Sequence, residues 1–226
     1  MTEFTLPQDA TIEPDGTWVQ FLTKPNAFKY RPALFLDRDG VIVEEVEERY
    51  LHVPDGVKII VGSADVIIQA NQNNIPVIIV TNQGGISQGI YEWSDFCATQ
   101  EKIIDDLSRN GASIDVVMAS PHHPNGNAPY GHPDHPARKP NPGMMLRAAE
   151  YLKIDLTQSW IIGDHATDIM AGRNADIEGS VHVLTGHGTH EGEREKALAL
   201  QSDQYHVHGA PSIADALTII PFLINH

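Results

Sequence analysis

The chain has 226 residues, 41% hydrophobic and 20% charged, enough for one sizeable core in a globular α/β protein. Its 15 Lys and Arg against 30 Asp and Glu give a formal net charge of -15, which argues against nucleic acid as a partner. The single cysteine excludes an intrachain disulfide or an all-thiolate metal site, and no leader or apolar run of about 18 residues stands out, so a cytoplasmic protein with no membrane partner is expected.

Residues 1–31, with Pro7, Pro14 and Pro25 among isolated aromatics, read as an N-terminal extension strapped onto a single domain over 32–226. Ala33-Leu34-Phe35-Leu36, bounded by Pro32 and Gly40, has the pattern of a buried parallel strand that delivers Asp37 and Asp39 into its exit turn. The run Glu44–Tyr50 reads as a solvated acidic face, and Leu51–Gly56 as a loop. Ser63 is placed to cap a helix to about Asn74, and Ile75–Val80 is a second buried strand. That strand runs into Thr81-Asn82-Gln83-Gly84-Gly85, whose hydroxyl, amides and open backbone suit an oxyanion.

Ser94 is expected to cap a helix to about Asn110, closed by Gly111, with Cys97 inside it as a buried structural thiol. Ile114–Ala119 is a third strand. Residues 120–143 form a long loop rich in Pro and His that ends in Arg138-Lys139-Pro140-Asn141-Pro142-Gly143, and a helix follows to about Leu152. Trp160–Gly163 is a fourth strand, delivering Asp164, and Thr167 or Asp168 opens a helix to about Ala175. Val181–Leu184 is a fifth strand, Tyr205–Val207 a short edge strand, and Glu191–Leu200 and Ser212–Leu217 are helices. The alternation of strand and helix predicts a doubly wound, mostly parallel sheet with no separate cap domain.

Three strands thus end in chemistry: Asp37 with Asp39, Thr81 with Asn82, and Asp164 with Asp168 four residues on. Arg138 and Lys139 follow a fourth. A parallel sheet brings strand ends into one crevice, and acids gathered there require a proton or a cation. Hard oxygen donors of this kind suit Mg²⁺, with Lys139 offsetting charge on a phosphoryl group.

Asp37-Arg38-Asp39-Gly40-Val41, Thr81-Asn82-Gln83-Gly84, Arg138-Lys139-Pro140 and Gly163-Asp164-His165-Ala166-Thr167-Asp168 resemble the four motifs of the haloacid dehalogenase (HAD) superfamily. The Asp-Arg-Asp-Gly form, with Tyr50-Leu51-His52-Val53-Pro54, is similar to the D,D-heptose 1,7-bisphosphate phosphatase and histidinol-phosphate phosphatase branch. The resemblance covers about residues 33–185. It implies Asp37 as nucleophile and Asp39 as general acid and base. It also implies Mg²⁺ on Asp37, the carbonyl of Asp39, Asp164 and Asp168, and phosphoryl contacts from Thr81, Asn82 and Lys139. Gln83 and Arg138 fall within the same motifs as phosphate- or substrate-binding candidates.

Two departures stand out. The family's zinc loop carries Cys-x-His and Cys-x-Cys, whereas this chain has Ser120-Pro121-His122 and Pro136-Ala137 before Arg138. His122, His123, His132 and His135 remain as zinc candidates, but without the thiolates a flexible, metal-free Pro/His loop is expected in preference. Gln88 stands where the family often has arginine. The expected function is hydrolysis of a small phosphorylated metabolite, with the heptose bisphosphate ahead of histidinol phosphate. A phospho-receiver or a phosphometabolite-binding domain without turnover is the alternative from another class. Nothing in the sequence sets the oligomeric state, and a monomer is the default expectation.

Overall fold

The structure, a computed structural model, describes residues 5–23, 30–46 and 50–224. Apolar runs too short for helices become the parallel strands β3 (Leu34–Leu36), β4 (Val77–Asn82), β5 (Val116–Ser120) and β6 (Trp160–Gly163), and the more polar β7 (Gly179–Val183) and β8 (His206–Ala210) extend them. An antiparallel hairpin, β1 (Ala10–Ile12) and β2 (Trp18–Phe21), pairs with β5 and completes an eight-stranded sheet in the order β1-β2-β5-β4-β3-β6-β7-β8.

Side chains alternate across each strand, so the sheet feeds two cores. Leu34, Leu36, Val77 and Ile79 pack on one face with α1 (Ser63–Gln72) and α2 (Trp93–Arg109). Phe35, Ile78 and Val80 pack on the other with α3 (Gly143–Leu152) and α4 (Ala166–Asn174). Two short helices, α5 (Glu193–Leu198) and α6 (Ala216–Ile219), complete the layers. Between β3 and α1, and between β4 and α2, the described residues hold only turns, isolated β-bridges and one 3-10 segment, Pro54–Gly56, so no cap domain is found among them.

The parallel portion runs β5-β4-β3-β6-β7-β8, so successive strands build outward from β3 first to one side and then to the other. The chain reverses its direction of growth beside β3, and a crevice opens there beyond the strand ends. Asp37 leaves β3 and Asp164 leaves β6 at that point, their strands in register through Leu36 and Ile162.

Part of the N-terminal segment read as a strap joins the sheet itself, through Ala10–Ile12 and Trp18–Phe21. The strands have only three and four residues, too few for a periodic signal, and they form because β5 offers a pairing edge. Trp18 enters one core and Val19 the other. The parts of the expected extension at 1–4 and 24–29, and Glu47–Arg49 of the acidic run, lie outside the described residues. Several caps also shift. Gly62, not Ser63, precedes α1, and the Ser63 hydroxyl instead donates to the carbonyls of Val41 (3.1 Å) and Ile42 (3.3 Å), fastening the turn after β3. Asp95 accepts from the Glu92 N–H (2.9 Å) at the start of α2, where Ser94 was expected to cap.

Asp15 in the hairpin turn meets Arg147 of α3 at 2.5 Å and 3.3 Å. Partial burial pushes the Asp15 carboxyl up, but Arg147 and the Thr17 N–H outweigh it and hold the group well below the usual carboxylate range. A depressed carboxylate stabilises above its unfolded pKa of about 4 and loses that contribution as pH falls. Both partners keep some exposure, which limits the pair to about 1 kcal/mol. Arg147→Ala should therefore lower the melting temperature at neutral pH by roughly 2–4 °C, with the gap to wild type narrowing near pH 2.5. Thermal denaturation of both proteins at the two pH values checks this; an equal gap at both would contradict it.

Candidate active site

The Lys139 ammonium lies at the centre of the crevice. It contacts Asp37 Oδ1 at 2.8 Å and Asp168 Oδ1 at 2.7 Å, and donates to the Val80 carbonyl at 2.8 Å. Its three hydrogens are thereby all engaged. Burial opposes the charge, but Asp168 and Asp37 outweigh it and hold the Lys139 pKa above the ordinary lysine value. Asn82 braces the lysine main chain from both sides: its Nδ2 donates to the Lys139 carbonyl and its Oδ1 accepts from the Lys139 N–H, each at 3.0 Å. One amide hydrogen of Asn82 remains for the crevice.

Asp37, Asp164 and Asp168 each bring a carboxylate oxygen within 4.8 Å of the others. Burial, with Asp168 and Asp39 nearby, pushes Asp37 up to about 7 despite the pull of Lys139. Asp164 is raised as well, by burial and by the charges of Asp37 and Asp168. One ammonium cannot balance three carboxylates, so the group has the charge, the donor type and the spacing for a hard divalent cation. The backbone is shaped around it. Gly40 has φ of 78° and Gly186 φ of 50°, and a Cβ at either would run into the Asp164 carboxylate. The His187 N–H donates to Asp164 Oδ2 at 2.7 Å and fixes that carboxylate. Asp168 lies at the third position of α4 and accepts from the His165 N–H (3.0 Å) through the oxygen that does not face Lys139.

Asp39 has a different environment. Its two oxygens receive a fork from Arg38, Nε at 3.0 Å and Nη2 at 2.8 Å, and Gln83 Nε2 donates to Oδ2 at 3.0 Å. Arg38 is fully buried, over the Phe96 ring at 5.5 Å. Gln83 also donates to the Thr81 hydroxyl (2.8 Å) and accepts from Tyr91 (2.5 Å), so this candidate binding residue lies behind the crevice and orients two others.

Asp37, Asp39, Thr81, Asn82, Arg138, Lys139, Asp164 and Asp168 line one cleft of about 360 Å³. Arg138 Nη1 donates to the His122 carbonyl at 2.7 Å, which ties the guanidinium to the 120–143 loop. The loop is more fastened than its composition suggested. His122 stacks on His135 at 3.4 Å, and its two ring nitrogens face the carbonyls of Asp15 (2.8 Å) and Tyr130 (3.1 Å). His123, His132 and His135 each accept a loop N–H at Nδ1. Among the described residues, two groups bring three ligand-type donors within 4.8 Å, and neither contains a loop histidine.

The HAD-hydrolase-like family matches residues 136–216, which hold Arg138, Lys139, Asp164 and Asp168. The D-glycero-beta-D-manno-heptose-1,7-bisphosphate 7-phosphatase of Mesorhizobium japonicum is 39% identical over 162 residues, 72% of this chain and 74% of that protein. This chain belongs to the HAD phosphatases.

The Pasteurella multocida protein of the same name is 34% identical over 173 residues, 76% of this chain and 92% of the relative. Among solved structures, a protein described as a HAD-like phosphatase from Mesorhizobium loti is similar with a TM-score of 0.81 and 32% identity, covering 94% of this chain and 96% of its own. The D,D-heptose 1,7-bisphosphate phosphatase of B. bronchiseptica, complexed with magnesium and phosphate, has a TM-score of 0.69 and 25% identity over 83% of this chain and 97% of its own. As a HAD phosphatase the chain is a phosphomonoester hydrolase, which sets aside the reading as a receiver or a binding-only domain. The strand order agrees, since a receiver-like sheet would put its second strand at one edge, next to its first. No helix among the described residues is long and apolar enough to cross a membrane.

Sequence reasoning missed the cleft wall of this HAD phosphatase. Glu45, assigned to a solvated face, is only 24% exposed at its side chain and meets His187 Nδ1 at 2.6 Å. Tyr50, His165, Thr167 and His187 also line the cleft. Tyr50, His165 and Thr167 carried a signal as members of family-like segments; Glu45 and His187 are 142 residues apart and meet through the fold alone.

The raised Asp37 sets a pH dependence. Its folded pKa exceeds the unfolded value near 4, so the metal-free fold is favoured by a bound proton below that value. That contribution is lost as pH rises through about 7. A divalent cation binds the deprotonated group and restores it. Mg²⁺, used as the probe, should raise the melting temperature more at pH 8 than at pH 5.5. A shift of equal size at both pH values in calorimetric scans would show that the cation does not bind these carboxylates.

Proposed function

We propose that this phosphatase is Mg²⁺-dependent and hydrolyses a small sugar phosphate through an aspartyl-phosphate on Asp37, with D-glycero-D-manno-heptose 1,7-bisphosphate the first candidate substrate. The observation that carries the reading is the meeting of Asp37, Asp164 and Asp168 around Lys139 in one cleft, beside an Asp39 held apart by Arg38. Relatives named for the heptose bisphosphate at 34–39% identity, and a structural neighbour holding magnesium and phosphate, support it.

Asp37, Asp164, Asp168 and the Asp39 carbonyl would hold Mg²⁺, which when bound supplies positive charge to the transferring phosphoryl oxygens. Asp37 attacks phosphorus while the bond to the sugar oxygen breaks, and Asp39 gives that oxygen its proton. Water then attacks the phosphorus of the aspartyl-phosphate, its proton passes to Asp39, and inorganic phosphate leaves with Asp37 restored. Thr81 and Asn82 would hold the phosphoryl oxygens, the Lys139 charge beside them offsets the negative charge that develops there, and the fork on Asp39 keeps its carboxylate aligned for both proton transfers. The two carboxylates take different roles because their surroundings differ.

The cleft of about 360 Å³ suits a small metabolite. Arg138 gives its wall a second cation, suited to the distal anion of a bisphosphate and unsuited to the amine of histidinol phosphate. Gln88 Nε2 donates to the Tyr50 hydroxyl at 3.1 Å, so the residue that replaces the family's arginine supports that wall. The 120–143 loop is proposed to be held without zinc, by the His122–His135 stack and the Asp15 carbonyl. Cys97, free and buried, accords with a cytoplasmic enzyme.

Asp37→Asn is nearly isosteric and should abolish phosphate release while the fold persists; turnover above a trace would refute the covalent route. On substrate, kcat/KM for the heptose bisphosphate should exceed that for histidinol phosphate and hexose phosphates by orders of magnitude, and Arg138→Ala should erase the preference. Equal, low values across the panel would dismiss the heptose and keep the phosphatase.

A further inference from the structure

A second group of donors stands at the rim of the cleft. Glu45 follows β3, Asp164 follows β6 and His187 follows β7, and one ligand atom from each lies within 4.8 Å of the others. The Glu45 carboxylate and His187 Nδ1 are already 2.6 Å apart, so the pair is assembled before any ion arrives. His165 and His190 flank His187 with ring centroids at 5.3 Å and 4.7 Å, and offer further imidazoles within reach. A separate open cavity of about 750 Å³ surrounds Glu45, His187 and His190, so an ion enters from solvent without passing the catalytic carboxylates.

The donor set differs in kind from the one around Lys139. Three carboxylates favour a hard ion such as Mg²⁺, whereas an imidazole with two carboxylates favours a borderline ion, Zn²⁺ above all. Asp164 belongs to both sets. A carboxylate has two oxygens and bridges ions about 3.5–4 Å apart in two-metal sites. Glu45 and His187 also share the cleft with Asp37 and Asp39, so an ion on them stands at the mouth where substrate enters.

We propose that Glu45, Asp164 and His187 form a second, inhibitory cation site of Zn²⁺ class at the mouth of the cleft. Its occupant shares Asp164 with the catalytic cation and obstructs substrate entry. The site requires no particular sugar, so it stands or falls apart from the substrate assigned above.

Zn²⁺ itself is the probe, with the full-length protein in excess Mg²⁺. Calorimetric titration of Asp37→Asn, which lacks one ligand of the all-oxygen site, should show one zinc per chain. Adding His187→Gln or Glu45→Gln should weaken that binding by roughly tenfold or more, whereas adding His135→Ala should leave it intact. In turnover of p-nitrophenyl phosphate, each protein is compared with its own zinc-free rate. The Zn²⁺ concentration for half-inhibition should rise roughly tenfold or more in His187→Gln and in Glu45→Gln. Circular dichroism melts confirm that both variants are folded, and either variant alone suffices if the other is not. Zinc sensitivity unchanged in a folded variant would overturn the proposal. So would displacement of zinc by excess Mg²⁺, which places the ion among Asp37, Asp164 and Asp168, or its loss with His135→Ala, which places it in the loop.

Discussion

The structure depends most on the contact between Lys139 and the carboxylates of Asp37 and Asp168. A buried ammonium is costly unless each hydrogen finds an acceptor, and here two carboxylates and the Val80 carbonyl supply them. The same contact holds the ends of β3 and β4 and the first turn of α4 around one point. Among the described residues Asp164 has no cation of its own, and that excess negative charge has the sign and donor type that suit a divalent ion. The buried ammonium and the carboxylates around it therefore form one electrostatic unit that carries more negative than positive charge.

Asp39 is two residues from Asp37, yet belongs to another electrostatic unit. Arg38 turns under the strand end into the core, where the fork on Asp39 and the Phe96 ring receive it. Gln83 then links Asp39 to Thr81 and Tyr91. This network pairs Asp39 with a cation and amide donors while Asp37 stays among clustered carboxylates, so two acids in one short turn have opposite electrostatic surroundings. A change at Gln83 or Tyr91 would reach the chemistry through orientation, without touching substrate.

The substrate wall has a third foundation, remote from the motifs. The turn of the β1–β2 hairpin supplies the carbonyl that His122 meets, and Arg147 clamps that turn to α3. His122 passes the constraint through its own carbonyl to Arg138. Trp93 at the head of α2 donates to the Tyr130 hydroxyl (3.2 Å) and fastens the other side of the loop. Selectivity in an enzyme without a cap rests on its loops, and these loops are held by the N-terminal sheet edge.

The strands that carry the motifs were legible because each is a short apolar run ending in polar residues, too short for a helix and apolar enough to be buried on both faces. Asp37, Asp39, Thr81, Lys139 and Asp164 followed as one site because a parallel sheet brings such ends together. Helix caps were less legible, since Ser63 and Ser94 could serve as caps and neither does. Residues 10–21 gave no signal at all: three- and four-residue strands need the β5 edge to exist. Tertiary structure alone decided that Arg38 and Gln83 hold Asp39, that a histidine stack fastens the 120–143 loop, and that Glu45 meets His187. Local sequence determines which segments are strands and which acids lie at their ends, because periodicity and turn chemistry act over a few residues. Which of those charges become partners is set by crossings between distant segments, and no local pattern carries that information.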